Sequence, residues 1–145
     1  MAFRFSLATL LRLREIAEQR EERLLGQIQN QIVQSRQTLA DLALQREGVI
    51  RQREQALNQV TTGVALSDSY TQVKMIQGLE ESGHEQLAKL LLLRDQQMKI
   101  YQSAHRNSEV LSEMRVEQKD EFYKERTKQE QKVMDDSFSS RRSLK

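Results

Sequence analysis

The sequence predicts an all-α fold, a long antiparallel two-helix coiled coil folded as a helical hairpin, on three observations. The 145 residues contain no proline, so nothing obliges a helix to kink or end. Apolar residues recur at alternating steps of three and four over most of the chain, the spacing of a heptad seam. One short stretch, Thr61–Ser69 (TTGVALSDS), concentrates the residues that stop and restart a helix. With 37% hydrophobic, 30% charged and 5% aromatic residues, and a mean hydropathy of −0.73, the chain has too few large side chains for a thick core. Its abundance of Ala, Glu, Lys, Leu, Arg and Gln is that of a coiled coil, and a single coiled-coil domain over residues 1–145 is expected.

The first helix is expected over about residues 3–60. Its seam runs Leu25, Ile28, Ile32, Ser35, Leu39, Leu42, Arg46, Val49, Arg53, Ala56, Val60. Upstream, Leu10, Leu13, Ala17 and Leu24 follow a seam rotated from this one, which reads as a stutter that locally unwinds the supercoil. The break, residues 61–68, joins β-branched Thr61 and Thr62 to Gly63 and to the polar run Ser67-Asp68-Ser69. Ser69 and Gln72 fit a capping box, each side chain satisfying a free backbone N–H at the start of the second helix.

The second helix is expected over about residues 69–136, with a seam of Tyr70, Val73, Ile76, Glu80, Gly83, Leu87, Leu90, Arg94, Gln97, Tyr101, Ala104, Ser108, Leu111, Arg115, Gln118 and Phe122. Beyond Phe122 the apolar stripe thins, and residues 137–145 read as a frayed basic tail. A register setting Leu42 against Leu87, Leu39 against Leu90, Ile28 against Tyr101 and Leu7 against Phe122 matches large residues to large. It sets Arg46 against Gly83, and Arg14 against Arg115 is its one bad pair. At ~1.5 Å per residue the helices would be roughly 85 Å and 100 Å long, and the second would overhang the first by up to about ten residues.

Several chemistries find no support. Without cysteine there is no disulfide or thiolate metal site. No apolar run is long enough to span a membrane, and the N-terminal stretch makes a poor signal peptide because Arg4 interrupts its apolar part. The histidines are His84 and His105; Glu80 and His84, four apart, read as a surface pair rather than a metal site. Phosphate-binding and nucleophile-elbow motifs do not occur, so no catalytic residue, metal or cofactor is expected. A net charge of +2 argues against nucleic acid as a partner.

Two surface features stand out. Arg4, Arg12 and Arg14 precede the first acid, and a hairpin would bring them near Lys124, Arg126, Lys128 and Lys132, making one end basic and suited to docking on an acidic partner. Leu42, Val49, Met75 and Leu79, near the break, form a candidate apolar docking patch.

The N-terminal FRFSLATLLRLRE, with Phe3, Phe5, Leu7, Leu10, Leu11, Leu13 and Arg14, and the late EQKVMDD, with Glu130, Lys132, Asp135 and Asp136, resemble the FliJ family of flagellar type III export. The resemblance implies a non-catalytic stalk, similar to the central stalk of rotary ATPases. Such a stalk inserts in the hexameric export ATPase and contacts a membrane export gate and export chaperones. It also implies a cytoplasmic protein, peripheral on the inner membrane. Relatives carry tyrosines on the first helix where this chain has Gln45 and Val49. On this reading the seven basic residues meet the ATPase ring, and Leu42, Val49, Met75 and Leu79 meet the gate or chaperones. Other readings are a nucleic-acid-binding helical arm and a coiled-coil scaffold with weak self-association through residues such as Leu13, Leu44, Leu91, Leu93 and Ile100, which lie off the seam.

Overall fold

A computed structural model describes residues 2–59 and 62–143. Val60 at the end of the first seam, Thr61 in the break and Lys145 in the tail lie outside the described residues. Two helices, α1 (Ala8–Leu57) and α2 (Gly63–Ser143), account for nearly all the rest, and no strand occurs among the described residues. The two helices pack against each other, so the fold is the all-α helical hairpin that the heptad spacing requires. Contacts divide the chain into two compact units, one of Glu22–Ile100 and one of Met1–Glu21 with Tyr101–Lys145; they are called here the hairpin unit and the terminal unit.

In the hairpin unit the seam of α1 lies where the periodicity sets it. Leu25, Ile32 and Leu39 are buried, and Ile28, Ser35, Leu42, Arg46, Val49, Arg53 and Ala56 are half-buried. The facing stripe of α2 is Leu66, Ser69, Val73, Ile76, Glu80, Gly83, Leu87, Leu90, Arg94 and Gln97, again in steps of three and four. Tyr70, expected in this stripe, is 51% exposed, and Ser69 and Leu66 take its place.

The helix boundaries at the break differ from expectation. α2 starts at Gly63, and Thr62 is its N-cap: the Thr62 hydroxyl accepts the Ala65 N–H at 3.2 Å and the Thr62 carbonyl accepts the Leu66 N–H at 3.3 Å. The capping box at Ser69 and Gln72 is therefore not formed. Ser69 lies inside the helix and its hydroxyl donates to the Leu66 carbonyl at 2.9 Å. The physical reason is Leu66, which falls one heptad before Val73; starting the helix at Gly63 lets it join the seam.

A shorter connection slides the register, because in an antiparallel pair the turn's centre fixes which residues meet. Leu39 lies against Gly83, a Cβ at which would stand 2.7 Å from Leu39 Cδ2, rather than against Leu90 alone. Arg46 meets Glu80, with Nε and Oε1 3.4 Å apart, rather than Gly83. Glu80 is thus engaged across the seam and not with His84. Arg53 sits over the Tyr70 ring at 5.8 Å and Lys74 lies 5.6 Å from the same ring.

In the terminal unit α1 begins at Ala8, later than expected. Residues 2–5 lie outside the helix, and the Ala8 N–H closes a turn onto the Phe5 carbonyl at 3.2 Å. Phe3 and Phe5 line one groove together, and Phe3 and Arg4 another. Phe5 is 8% exposed beside Leu11 at 4%, and Phe3 meets Phe122 with ring centroids 5.7 Å apart. Phe122 thus has Phe3 as a ring partner across the helices and Tyr123 as one beside it in the chain.

The rotated seam through Leu10, Leu13 and Ala17 is not used; all three are exposed, as is Leu24 in the hairpin unit. No stutter is needed. Leu11, Glu18 and Glu21 are buried or half-buried, which keeps the heptad phase of Leu25 and Ile28 unbroken at the cost of placing carboxylates in the seam. On α2 the covered residues are Tyr101, Ala104, Ser108, Leu111, Met114 and Phe122, with Met114 where Arg115 was expected. Glu15, rather than Arg14, lines a groove with Arg115. Every described residue from Tyr123 to Ser143 is exposed, and helix persists through the stretch expected to fray.

Candidate functional site: an exposed basic helix and an apolar groove

The seven basic residues singled out in the sequence all belong to the terminal unit and all are exposed. The fold brings three of them together. Arg4, Lys124 and Lys128 line one groove of about 640 Å³ with Phe3, Phe122, Glu121 and Glu125. Arg12 lines another with Phe5, Leu11, Glu15 and Arg115, whereas Arg14 lines neither. Arg126 pairs with Glu130 one turn on, Nε to Oε1 3.3 Å, and Lys132 stands exposed beyond it.

This charge is mounted on helix whose described residues from Tyr123 onward are all exposed. From Tyr123 to Ser143, six basic residues (Lys124, Arg126, Lys128, Lys132, Arg141, Arg142) stand among four acids (Glu125, Glu130, Asp135, Asp136). Val133, Met134 and Phe138 in the same stretch are 67%, 71% and 69% exposed. A helix of this length is marginal in water without a packed face, and the Arg126–Glu130 pair adds only a few tenths of a kcal/mol, roughly 0.3–0.5. The stretch carries both the charge and the unburied apolar area of a binding segment.

The four apolar candidates belong to the hairpin unit. Val49, Met75 and Leu79 line a groove of about 390 Å³ with Ile76, Gly48, Gln45, Gln52 and Gln72. Leu79 also lines a second groove, of about 590 Å³, with Leu42, Leu39, Gly83 and Leu90. The fold therefore gathers all four around Leu79, Met75 and Leu79 being 66% and 55% exposed. Gln72, freed from the expected capping role, forms part of this wall.

One cluster was missed from the sequence. Glu18 accepts from the Ser108 hydroxyl at Oε2 and meets His105 Nδ1 at Oε1, 2.6 Å away. On its other side His105 Nε2 lies 3.6 Å from Glu109, and its ring stacks on Tyr101 at 6.0 Å. The Ser108 hydrogen bond, and then that of His105, hold the Glu18 carboxyl below the usual carboxylate range. The Glu18 hydrogen bond pushes His105 above the usual imidazole value. The serine hydroxyl faces the Glu18 carboxylate and the His105 backbone carbonyl, not the imidazole, so the trio is not a nucleophile–base pair. The two ring nitrogens face different carboxylates, an arrangement that does not converge on a metal, and no metal-binding group of three occurs among the described residues. Counting heptads back from Leu25 to Leu11 would have placed Glu18 in the seam; its pairing with His105 depends on the register.

The family described as Flagellar FliJ protein matches residues 3–145, nearly the entire chain. The chain belongs to the FliJ family. Membership makes it a component of the flagellar export apparatus, in a family not known for enzymes. No curated protein and no solved structure gives a significant match. Among the described residues, no helix is long and apolar enough to cross a membrane.

Proposed function

We propose that this FliJ-family chain is a non-catalytic stalk of the flagellar type III export apparatus. Its terminal unit enters the hexameric export ATPase, and its hairpin unit contacts the export gate and export chaperones at the cytoplasmic face of the inner membrane. The observation that carries this reading is the exposed basic stretch of α2 from Tyr123 to Ser143. A lone helix of about 10–12 Å diameter suits a narrow pore. Exposed Lys and Arg make ion pairs worth below about 1 kcal/mol each, weak enough to exchange as ring subunits change state. The groove around Leu79 supports the second contact, because adjoining half-exposed apolar residues mark a docking face.

Charge reversal of Arg12, Arg14, Arg126 and Lys128 tests the first contact. The control set must avoid Arg46 and Arg53, which are half-buried in the seam, so Arg51, Lys74 and Lys89, all exposed, are reversed instead. Binding to the purified export ATPase is expected to fall with the first set alone, and to weaken with added salt. Loss with the control set and not the first would reverse the assignment. The stalk is also expected to stimulate the ATPase while hydrolysing no ATP itself; steady turnover by the chain alone would refute the non-catalytic role.

A further inference from the structure

The Glu18, Ser108 and His105 cluster has no role in the function proposed above, and its placement calls for one. Glu18 occupies a seam position in line with Leu11, and its side chain is 20% exposed. A carboxylate there disfavours helix pairing unless its charge is met. Ser108, 6% exposed in the facing seam, meets one oxygen and His105 meets the other. The charged and titratable groups facing the imidazole are Glu18 from α1, and Glu109 and Tyr101 from α2.

Each ring nitrogen therefore looks at a carboxylate. An imidazolium has two N–H groups and can donate to both. A neutral imidazole has one, and turns a lone pair toward whichever carboxylate it fails to serve. If it keeps the proton on Nδ1 it repels Glu109; if on Nε2 it repels Glu18, whose compensation is then Ser108 alone. The neutral ring can keep the Nδ1–H bond to Glu18, but only the imidazolium adds an ion pair to that contact between α1 and α2 while also serving Glu109.

We propose that Glu18, Ser108 and His105 form a proton-operated latch, which holds the first turns of α1 (residues 8–21) more tightly on α2 when His105 is charged and less tightly when it is neutral. The sign follows from His105 being raised in the folded chain. Its contribution is fully present below the ordinary histidine value near 6.5 and is lost as pH rises through the higher folded value. The latch thus loosens as pH rises above the ordinary histidine value and through the raised folded one. It acts on the turns that carry Arg12 and Arg14.

Backbone hydrogen exchange of residues 8–21 in the full chain, corrected for intrinsic rates, tests this from about pH 5.5 to about pH 8.5. Wild-type protection is expected to fall across the range, about tenfold for each full unit by which the folded His105 value exceeds the unfolded one. His84→Gln leaves that slope unchanged, since His84 is outside the cluster. His105→Gln abolishes it at the low, alkaline level. His105→Arg, permanently charged, abolishes it at the high, acidic level, and serves where the glutamine variant fails to fold. A pH-independent wild type, a slope that survives in His105→Gln or His105→Arg, or one that disappears in His84→Gln overturns the proposal.

Discussion

Single residues in this chain act through the stripe they share. Of the glycines, Gly26, Gly48 and Gly78 sit in helix with nothing within 4 Å of an added Cβ, whereas Gly83 faces Leu39 at 2.7 Å. Alanine at each of the first three is expected to raise stability by about 0.5–1 kcal/mol, read as a shift in the urea midpoint. Leucine at Gly83 is expected to cost about 1–3 kcal/mol, because Leu39 is buried and has to be displaced. Ser108→Ala removes the hydrogen bond that most lowers Glu18 and is expected to cost about 1 kcal/mol. Glu18, being depressed in the folded chain, contributes above its ordinary value near 4.5 and loses that contribution as pH falls through its lowered value. Acid unfolding of Ser108→Ala, followed by circular dichroism, should accordingly begin at higher pH than in the wild type.

At the scale of elements, the start of each helix is set by what its neighbour can cover. Thr62 rather than Ser69 caps α2, since Leu66 then gains a place in the seam. Thr62→Ala is expected to cost about 1 kcal/mol and Ser69→Ala less, a contrast that denaturant titration of the two variants measures. The Arg46–Glu80 pair sits in the seam with side chains 35% and 13% exposed. Replacing both by leucine is expected to leave stability equal or raise it by about 1–4 kcal/mol, whereas Glu80→Leu alone gains less by stranding Arg46. An unaltered elution volume in the double variant would show that the pair is not needed to keep the chain from self-pairing; earlier elution would give it that role.

For the whole molecule, packing only one stripe per helix leaves much of both helices exposed. The FliJ-family chain offers an uncovered basic helix in one unit and an apolar groove in the other. Deleting residues 123–143 is expected to abolish binding to the export ATPase while leaving the thermal transition of the remainder within a few degrees, because no described residue of that stretch is buried. A collapse of the transition would mean that the stretch supports the fold.

The sequence by itself determined the helical hairpin, the family and the seam of the hairpin unit, because a heptad written over many turns leaves one face to bury. It also marked the seven basic and four apolar residues, as composition and position along a helix suffice for that. Only the tertiary structure decided the register, since the turn's centre sets every pairing and the cap proved to be Thr62 rather than the expected Ser69. It decided, too, that Glu18 rather than Leu10 and Leu13 would face α2. Apolarity along α1 favoured the leucines, but following them requires the supercoil to unwind. Keeping the phase of Leu25 costs two carboxylates in the seam, Glu18 and Glu21, and Ser108 and His105 stand across from Glu18 to meet its charge.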